Sequence, residues 1–370
     1  MELHRKDGAL SIILTLLFLL VTAQVQAATT YYVSPAGKDS TCTAARTAST
    51  PAGPRLQFVM GCMIGGDTLL ARSGIYEEPL HKTGFNGMFP SGTATTPTLF
   101  KPFPGEQVTL KSTPSPWGSI FEFDGPSFIT FDGISFDGFV PPDFRGFAHE
   151  YVMVKIQANS HHIRILNGEV KNLPDGWFSS ANGNDNEVSG MVMHDSFPAS
   201  AYLSGGTKCA QIECWGYPFY WNGLRNQILR NHVYNVPSWI VHLYCGAGGC
   251  TGPNETLVQD NNFHDFGDGD PTRANGILVY NGNANRIINN AVWNNKGTAQ
   301  SIGVGPQATN TVLQGNTNVP PGVPVPPQPE QPPATNFIDV RTDRTVNVTG
   351  NSVSIAKDKS TVITVNGVPR

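Results

Sequence analysis

Three segments in the second half of the chain share one pattern and decide the fold: Ile228-Leu229-Arg230-Asn231-His232-Val233-Tyr234-Asn235, Val258-Gln259-Asp260-Asn261-Asn262-Phe263-His264-Asp265 and Ile287-Ile288-Asn289-Asn290-Ala291-Val292-Trp293-Asn294. In each segment an aliphatic residue precedes an asparagine by three positions, and an apolar residue follows that asparagine two positions later. The copies recur about every thirty residues, a period typical of stacked structural repeats. Degenerate copies occupy residues 163–172, 187–195 and 346–353.

One copy is too small to bury its apolar face alone, so the pattern predicts coils that stack and share a continuous core. Asn231, Asn261 and Asn290 would then lie above one another at the strand spacing of about 4.8 Å. Their amides would bond along the stack and satisfy buried turn groups. A chance series of Asn-rich loops is the alternative, and three copies in one register disfavour it. The sequence therefore predicts an all-β solenoid, a parallel β-helix.

The composition agrees with many short strands and turns. Of the 370 residues 14% are charged, and 39 are Gly and 29 Pro. A formal net charge of -4 gives no reason to expect nucleic acid or an anionic membrane as a partner. An acidic polymer would need a local positive site or a bound cation.

The N-terminus predicts export. His4, Arg5 and Lys6 precede an apolar run over residues 10–21, and small residues around Ala27 offer a cleavage site. We therefore predict a signal peptide over residues 1–27 and a secreted protein, extracellular or periplasmic, without stable membrane insertion after cleavage. The run is short for a membrane span, and an uncleaved anchor is the alternative.

Six cysteines in an exported chain favour disulfides. The sequence does not fix how they pair, and no Cys/His spacing indicates zinc. The candidate pairs are Cys42 with Cys62, Cys245 with Cys250, and Cys209 with Cys214.

Two N-terminal motifs resemble the opening of secreted pectate-lyase-like β-helix proteins: Tyr31-Tyr32-Val33-Ser34-Pro35-Ala36-Gly37 and Gly66-Asp67-Thr68-Leu69-Leu70-Ala71-Arg72-Ser73-Gly74-Ile75-Tyr76. In that superfamily the second motif forms the first coil after a capping helix, and apolar residues between 55 and 64 fit such a helix. The resemblance implies a right-handed parallel β-helix with an N-terminal capping helix. It covers about Tyr31 to Asn318 and carries over no catalytic residue.

The composition changes after Asn318. We predict a β-helix domain over residues 28–318 and a Pro-rich, semi-rigid linker over 319–333. Residues 334–370 alternate apolar and polar residues, which indicates a C-terminal β segment that is either a capping coil or a small appendage.

A second family of strands precedes the Asn copies. Their first and third residues are predicted to face the core, because side chains alternate along a strand. The outward residues are rich in aromatic rings, which stack well on sugars when they line a groove. Packing beneath loops is the alternative. The aligned segments are Ala201-Tyr202-Leu203-Ser204, Phe219-Tyr220-Trp221-Asn222, Val241-His242-Leu243-Tyr244 and Ile277-Leu278-Val279-Tyr280, with Ile302-Gly303-Val304-Gly305 as the next.

This face predicts a polysaccharide site. The activity common in the superfamily is β-elimination, which needs a base and a group that neutralises the uronate carboxylate. We assign His242 as the base, Tyr244 as the proton donor to the leaving oxygen with Tyr280 as a second donor, and Arg225 and Arg273 as carboxylate clamps. An exposed stacking ring is the alternative for His242. The predicted substrate-binding residues are Tyr202, Tyr220, Asn222 and Tyr280.

Asp265, Asp268 and Asp270 offer oxygen ligands for Ca²⁺. Ordinary turn residues are the alternative, because Asp stabilises turns. The His264-Asp265 pair recurs as His194-Asp195 at a matching coil position, which favours a framework role over a catalytic dyad.

The sequence predicts a monomeric, secreted polysaccharide lyase or a related enzyme such as a uronate epimerase. A non-catalytic glycan-binding β-helix is the first alternative. A glycoside hydrolase is the second alternative. It ranks below elimination because the paired aspartates and Arg-x-Lys segments of polygalacturonase-like β-helices are absent.

Overall fold

The protein is a solenoid of three parallel β-sheets, as the predicted fold requires. The computed structural model describes residues 27–38, 41–53, 55–79, 89–113, 118–138, 151–172, 176–196, 217–236, 238–246, 250, 252–267, 275–294, 300–318, 346–348 and 351–353.

From residue 98 to residue 309 each coil contributes one strand to each sheet in turn. One coil runs through Gln227–Leu229 in sheet 1, His232–Val236 in sheet 2 and Val241–Leu243 in sheet 3, and then returns to sheet 1 at Leu257–Gln259. All pairings within the three sheets are parallel to the coil above and below, which is the hydrogen-bond pattern of a β-helix.

The strand bounds follow the coils. Sheet 1 contains Thr30–Lys38, Thr68–Ala71, Thr98–Pro102, Ser127–Asp132, His161–Leu166, Glu187–Ser189, Gln227–Leu229, Leu257–Gln259, Arg286–Ile288 and Val312–Gln314. Sheet 2 contains Gly74–Pro79, Val108–Thr113, Ile134–Asp137, Glu169–Lys171, Val192–His194, His232–Val236, Asn262–Phe266 and Ala291–Trp293. Sheet 3 contains Gly118–Phe123, Tyr151–Ile156, Gly176–Ser180, Phe219–Trp221, Val241–Leu243, Asn275–Asn283 and Gln300–Thr309.

The core is a column of apolar side chains inside the coils. Inward rows from all three sheets meet there, and Val233, Phe263 and Val292 of sheet 2 are each fully buried. Aromatic rings fill the N-terminal half of the column, where Phe121 and Phe131 lie with ring centroids 5.0 Å apart. Such stacking gives each small coil the apolar burial that it lacks alone.

The predicted asparagine ladder is present at the turn between sheets 1 and 2. The Asn261 side-chain oxygen accepts hydrogen bonds from the backbone N–H and the amide of Asn231, at 2.8 and 3.0 Å. The Asn261 amide donates to the Ile228 carbonyl at 2.9 Å and to the Asn290 side-chain oxygen at 2.8 Å. Asn290 is bound in the same way to Asn316, which extends the ladder by one coil. The ladder therefore satisfies turn groups that stacking takes away from water.

The ladder turn is built on a residue with positive φ directly before each asparagine. Arg230, Asp260 and Asn289 have φ values of 53°, 57° and 54°, and Gly315 has 65°. This left-handed conformation is uncommon outside glycine, and Asn and Asp tolerate it better than most residues.

A short helix closes the N-terminal end, as predicted. The helix α1 spans Leu56–Met60, less than the predicted stretch, and ends at Gly61. The next residue, Cys62, forms a disulfide with Cys42. In the first coil the buried Asp67 carboxylate accepts hydrogen bonds from the backbone N–H groups of Thr29 and Ile64, at 2.7 and 2.8 Å.

Of the remaining predictions, one is wrong, one is confirmed and the others concern residues that the structure does not describe. The degenerate copy at residues 346–353 is not a coil, because Val346–Val348 and Asn351–Val353 pair antiparallel in a separate two-stranded sheet. The Cys245–Cys250 disulfide is present. Residues 1–26 of the predicted signal peptide 1–27, the linker 319–333 and the Cys209 and Cys214 pair lie outside the described residues. Within the part of the chain that the structure describes, no helix is long and apolar enough to span a membrane.

The ladder predicts a stability effect. Asn261→Ala orphans the buried Asn231 N–H and the Ile228 carbonyl, at about 1–3 kcal/mol for each unsatisfied group. We expect the free energy of unfolding in urea to fall by at least about 2 kcal/mol. The matched control is Asn159→Ala, which removes an exposed bond to Asp124 and should cost under about 1 kcal/mol. Equal losses in the two variants would contradict the ladder's role.

Candidate functional site

The outer face of sheet 3 carries the predicted line of side chains. Tyr220 pairs in register with His242, and His242 with Leu278. The inward neighbours on either side are fully buried, so the predicted inside and outside of these strands are confirmed: Phe219, Trp221, Val241, Leu243, Ile277 and Val279.

Six rings form one aromatic cluster on this face: Tyr217, Tyr220, Trp239, His242, Tyr244 and Tyr280. His242 lies at its centre, with its ring centroid 4.3 Å from that of Trp239 and 5.1 Å from that of Tyr244, onto which it stacks. Tyr280 meets Tyr244 edge-on at 5.1 Å. Edge-on and offset contacts at these separations stabilise aromatic pairs beyond their burial.

Exposure differs sharply across the aromatic cluster. His242 is 5% exposed and Tyr217 4%, whereas Tyr280 is 42% exposed. His242 therefore lies on the predicted outer face but is not exposed, because neighbouring rings cover the imidazole, and the alternative of an exposed stacking ring is wrong. Tyr220 and Tyr244 are half-buried, and with Tyr280 they form the edge that a ligand can reach.

Sequence reasoning missed Tyr217 and Trp239. Each lies two residues before its strand, in consecutive coils, where strict alternation would place it inside. The chain bends before it enters the strand, so the two-residue period does not extend to these positions. The sequence signal that could have found them is that the same position, two residues before the strand, is aromatic in both coils.

Tyr220 keeps its proton at neutral pH. Burial raises its pKa to about 12, and the charge that Tyr244 would carry when ionised adds to the rise. A neutral phenol donates a hydrogen bond and does not act as a base, so Tyr220 fits a donor role toward a sugar oxygen.

Side-chain hydrogen bonds hold the backbone of Tyr244 and Cys245, at the end of the strand that carries His242. Asn281 accepts from the Cys245 N–H at 2.9 Å and donates to the Cys245 carbonyl at 2.6 Å. Asn222, predicted to bind substrate, is 7% exposed. Its amide donates to the Tyr244 carbonyl at 3.4 Å, and its side-chain oxygen accepts from the Asn182 N–H. Asn222 therefore joins neighbouring coils.

The same line continues into polar residues toward the N-terminus. Ser179 pairs with Tyr220, Lys155 with Ser179, and Glu122 with Lys155. Tyr202 was predicted beside Tyr220, but Ser179 holds that place, and Tyr202 lies outside the described residues. A long insertion in this coil, residues 197–216, misled the alignment.

The two predicted arginine clamps have different outcomes. Arg225 forms an ion pair with Asp185 of the preceding coil, Nε to Oδ1 at 2.7 Å and Nη2 to Oδ2 at 2.9 Å. These donors hold a turn together, so a clamp role would require breaking a bidentate pair. Arg273 lies outside the described residues.

The predicted calcium ligands are not brought together among the described residues. The Asp265 carboxylate accepts from His264 Nδ1 at 2.9 Å, and Asp268 and Asp270 lie outside the described ranges. Within those ranges no group of three or more His, Cys, Asp or Glu is placed to hold a metal ion.

The His-Asp pairs lie on sheet 2, away from the aromatic cluster. His194 and His264 each meet the following aspartate through Nδ1, at 2.8 and 2.9 Å. Tyr234 stacks between their rings, with centroids 5.0 and 5.2 Å away, and Trp293 stacks on His264 at 4.6 Å. A repeated ring stack fits the framework interpretation, since each ring lies on its neighbour in the next coil.

His232 extends this stack as a half-buried neutral ring. Its Nε2 lies 2.9 Å from His264 Nε2. Burial, followed by the charges on His264 and His194, lowers the pKa of His232 from 6.5 to about 4. The unfolded chain therefore binds more protons than the fold between these pH values.

The pKa of His232 predicts acid sensitivity. The free energy of unfolding should fall as pH drops from 6.5 to about 4, because only the unfolded state takes up the proton. His232→Asn should flatten this dependence in urea titrations, whereas His161→Asn, outside the sheet 2 stack, should retain it. An unchanged slope in His232→Asn would refute the assignment.

The high pKa of Tyr220 is measurable by ultraviolet titration of phenolate. The difference between wild type and Tyr220→Phe should titrate with a midpoint near pH 12. A Tyr220 difference centred near 10 would show that the phenol is solvated.

Solved structures with the same architecture include carbohydrate-active enzymes. A rhamnogalacturonan lyase is 13% identical with a TM-score of 0.56, covering 72% of this chain and 69% of that one. The pectate lyase Pel9A is 12% identical with a TM-score of 0.54, covering 80% and 81%. The GH136 lacto-N-biosidase from Eubacterium ramulus is 14% identical with a TM-score of 0.55, covering 78% and 56%.

No protein-family model matches the chain, and neither does any curated protein sequence. At these identities the structural likenesses concern the fold alone. The stacked parallel coils and these likenesses together show that the chain has the fold of these enzymes, a right-handed parallel β-helix.

Proposed function

We propose that this protein is a secreted, carbohydrate-active β-helix that binds a uronate-containing polysaccharide along the outer face of sheet 3 and cleaves it by β-elimination. The observation that carries the proposal is the line Glu122, Lys155, Ser179, Tyr220 and His242, which places an ammonium group and hydroxyls beside the aromatic cluster. The two disulfides support export, because such bonds persist in oxidising compartments.

Each part of the line fits one feature of an acidic sugar chain. The exposed ring of Tyr280 offers a surface for stacking on a sugar ring. The neutral Tyr220 phenol donates to a sugar or leaving oxygen. Lys155 supplies the local positive charge that the chain's net charge of -4 makes necessary.

Lys155 and His242 serve different sugar units in this proposal. They are three coils apart along the line, or about 14 Å at the usual strand spacing. Lys155 therefore contributes to binding of the polymer, while elimination takes place near Tyr244 and Tyr280. A carboxylate neutraliser is needed there, and Arg273 or a bound Ca²⁺ is the proposed source.

A non-catalytic glycan-binding protein is the second candidate, and the 5% exposure of His242 favours it. A base must reach the proton that it removes, and here neighbouring rings cover the imidazole. Hydrolysis has less support, since it needs two facing carboxylates and Glu122 is the single acid on the described line.

The class of activity is tested with a panel of alginate, pectate and glycosaminoglycans, with and without Ca²⁺. A lyase should generate the ultraviolet absorbance of unsaturated uronate ends, and His242→Ala should lower that turnover at least tenfold. Binding without this absorbance on every polymer would reject the lyase and leave the glycan-binding candidate. If His242→Ala retained full turnover, His242 would not be the base, but the protein would still be a lyase.

Polymer binding is tested separately through Lys155. Lys155→Met should weaken binding to an acidic polysaccharide about tenfold, equivalent to about 1.4 kcal/mol. Lys155→Arg should retain most of the affinity, and Lys38→Met, at an exposed position on sheet 1, should leave it unchanged. Isothermal titration at two salt concentrations measures the effect, which should shrink at high salt. Equal affinities for Lys155→Met and wild type would exclude this subsite.

A further inference from the structure

Three side chains that the proposed activity does not use lie together on the outer face of sheet 2. His232 pairs in register with Asn262 of the next coil, and His264 follows Asn262 by two positions on the same strand. Val233 and Phe263, the next residues along the two strands, are fully buried in the core, so the other three side chains point outward. Two imidazoles and one amide therefore share one small part of this face.

The two imidazoles face each other through one nitrogen each. The Nε2 atom of His232 lies 2.9 Å from the Nε2 atom of His264. Two nitrogens bound to one metal ion at about 2.0–2.1 Å, with a right angle between the bonds, lie about 2.9 Å apart. A tetrahedral ion such as Zn²⁺ would hold them about 3.3 Å apart. The observed separation therefore suits the tetragonal geometry of Cu²⁺ or Ni²⁺.

Asp265 fixes which nitrogen of His264 is available to an ion. Its carboxylate accepts from His264 Nδ1 at 2.9 Å, so the proton lies on Nδ1 and Nε2 keeps its lone pair. Metal-binding histidines commonly donate their second ring N–H to a carboxylate in this way. His194 differs, because both of its ring nitrogens contact carboxylates, those of Asp195 and Glu169, at 2.8 and 3.0 Å. His194 therefore has no nitrogen to offer and is the matched control.

The Asn262 side chain gives an independent indication of a ligand. Asn262 is 7% exposed, and its side-chain oxygen has no hydrogen-bond partner within the described structure. Such a buried oxygen is unfavourable unless a donor or a cation satisfies it. A hydrogen bond between the two imidazoles would explain their separation but would leave this oxygen unsatisfied. A metal ion with nitrogen and oxygen ligands accounts for both observations.

We propose that His232 Nε2, His264 Nε2 and the Asn262 side-chain oxygen bind a divalent transition-metal ion of the Cu²⁺ or Ni²⁺ type, with water at its remaining positions. The third donor is an amide, so the site differs from groups of three or more His, Cys, Asp or Glu, of which the described ranges hold none. On binding, the His232 proton moves from Nε2 to Nδ1 through solvent, which frees both Nε2 atoms for the ion. The ion joins two successive coils and is independent of the activity proposed for sheet 3.

Titration of the metal-free full chain, without an affinity tag, with Cu²⁺ alone tests the site. One equivalent should bind and quench the fluorescence of Trp293, whose ring stacks on that of His264 at 4.6 Å, because Cu²⁺ quenches nearby indoles. His264→Gln should lower the affinity at least about tenfold. Trp293→Phe should bind the ion but lose most of the quenching. The matched control His194→Gln should bind Cu²⁺ as the wild-type protein does.

Asn262→Asp distinguishes a metal ligand from a structural asparagine. A buried carboxylate should destabilise the metal-free chain in urea, because its charge is then uncompensated. The same carboxylate should raise the Cu²⁺ affinity at least about tenfold, since a charged oxygen replaces a neutral one at the ion. A merely structural role for Asn262 predicts the loss of stability without the gain in affinity.

Three results would overturn the proposal. The first is an absence of Cu²⁺ binding, which would leave the two imidazoles as a hydrogen-bonded pair. The second is equal affinity in wild type and His264→Gln, or binding without quenching of Trp293, either of which would place the ion elsewhere. The third is an affinity in Asn262→Asp that is unchanged or weaker. Near-ultraviolet circular dichroism verifies that His264→Gln is folded, and the Asn262→Asp result decides the question if it is not.

Discussion

The structure depends on hydrogen bonding between successive coils. Every coil is too short to be stable alone, and its strands find their partners only in the coils above and below. The turn between sheets 1 and 2 has no strand ladder, and there the asparagine side chains replace it. Asn231, Asn261 and Asn290 each donate from the backbone N–H and the side-chain amide to the asparagine of the next coil, and Asn316 accepts the last of these bonds. Because this bonding fixes the register, it also fixes which side chains share an outer face.

Because the register is fixed, each sheet has an outer face of its own, and the faces of sheets 2 and 3 differ. On sheet 2 it stacks His194, Tyr234 and His264 into a column of rings in which each histidine binds the aspartate that follows it. On sheet 3 it places a charged and hydroxylated half next to an aromatic half. The rings on sheet 2 stack on one another, whereas the aromatic cluster on sheet 3 ends in the exposed ring of Tyr280. This contrast is why we place the ligand on sheet 3.

The aromatic cluster combines rigidity with limited access. Buried rings hold His242 in one position, which suits a positioned base, but they also separate it from solvent. Binding needs only the outer ring edges and the polar line, while elimination needs the imidazole itself. The same packing therefore supports glycan binding directly and makes catalysis conditional on access to one nitrogen.

The sequence by itself determined the solenoid, the ladder and the inside and outside of Phe219–Trp221 and Val241–Leu243, because these follow from local periods of hydrophobicity. It did not place Tyr217, Trp239 or Lys155 on the site, and it assigned Tyr202 to a position that Ser179 occupies. Those errors have one physical cause: a bend or an insertion breaks the count of residues, and only the paired coils show which residues then become neighbours. Burial of His242 and the ion pair of Arg225 were likewise decided by side chains distant in sequence.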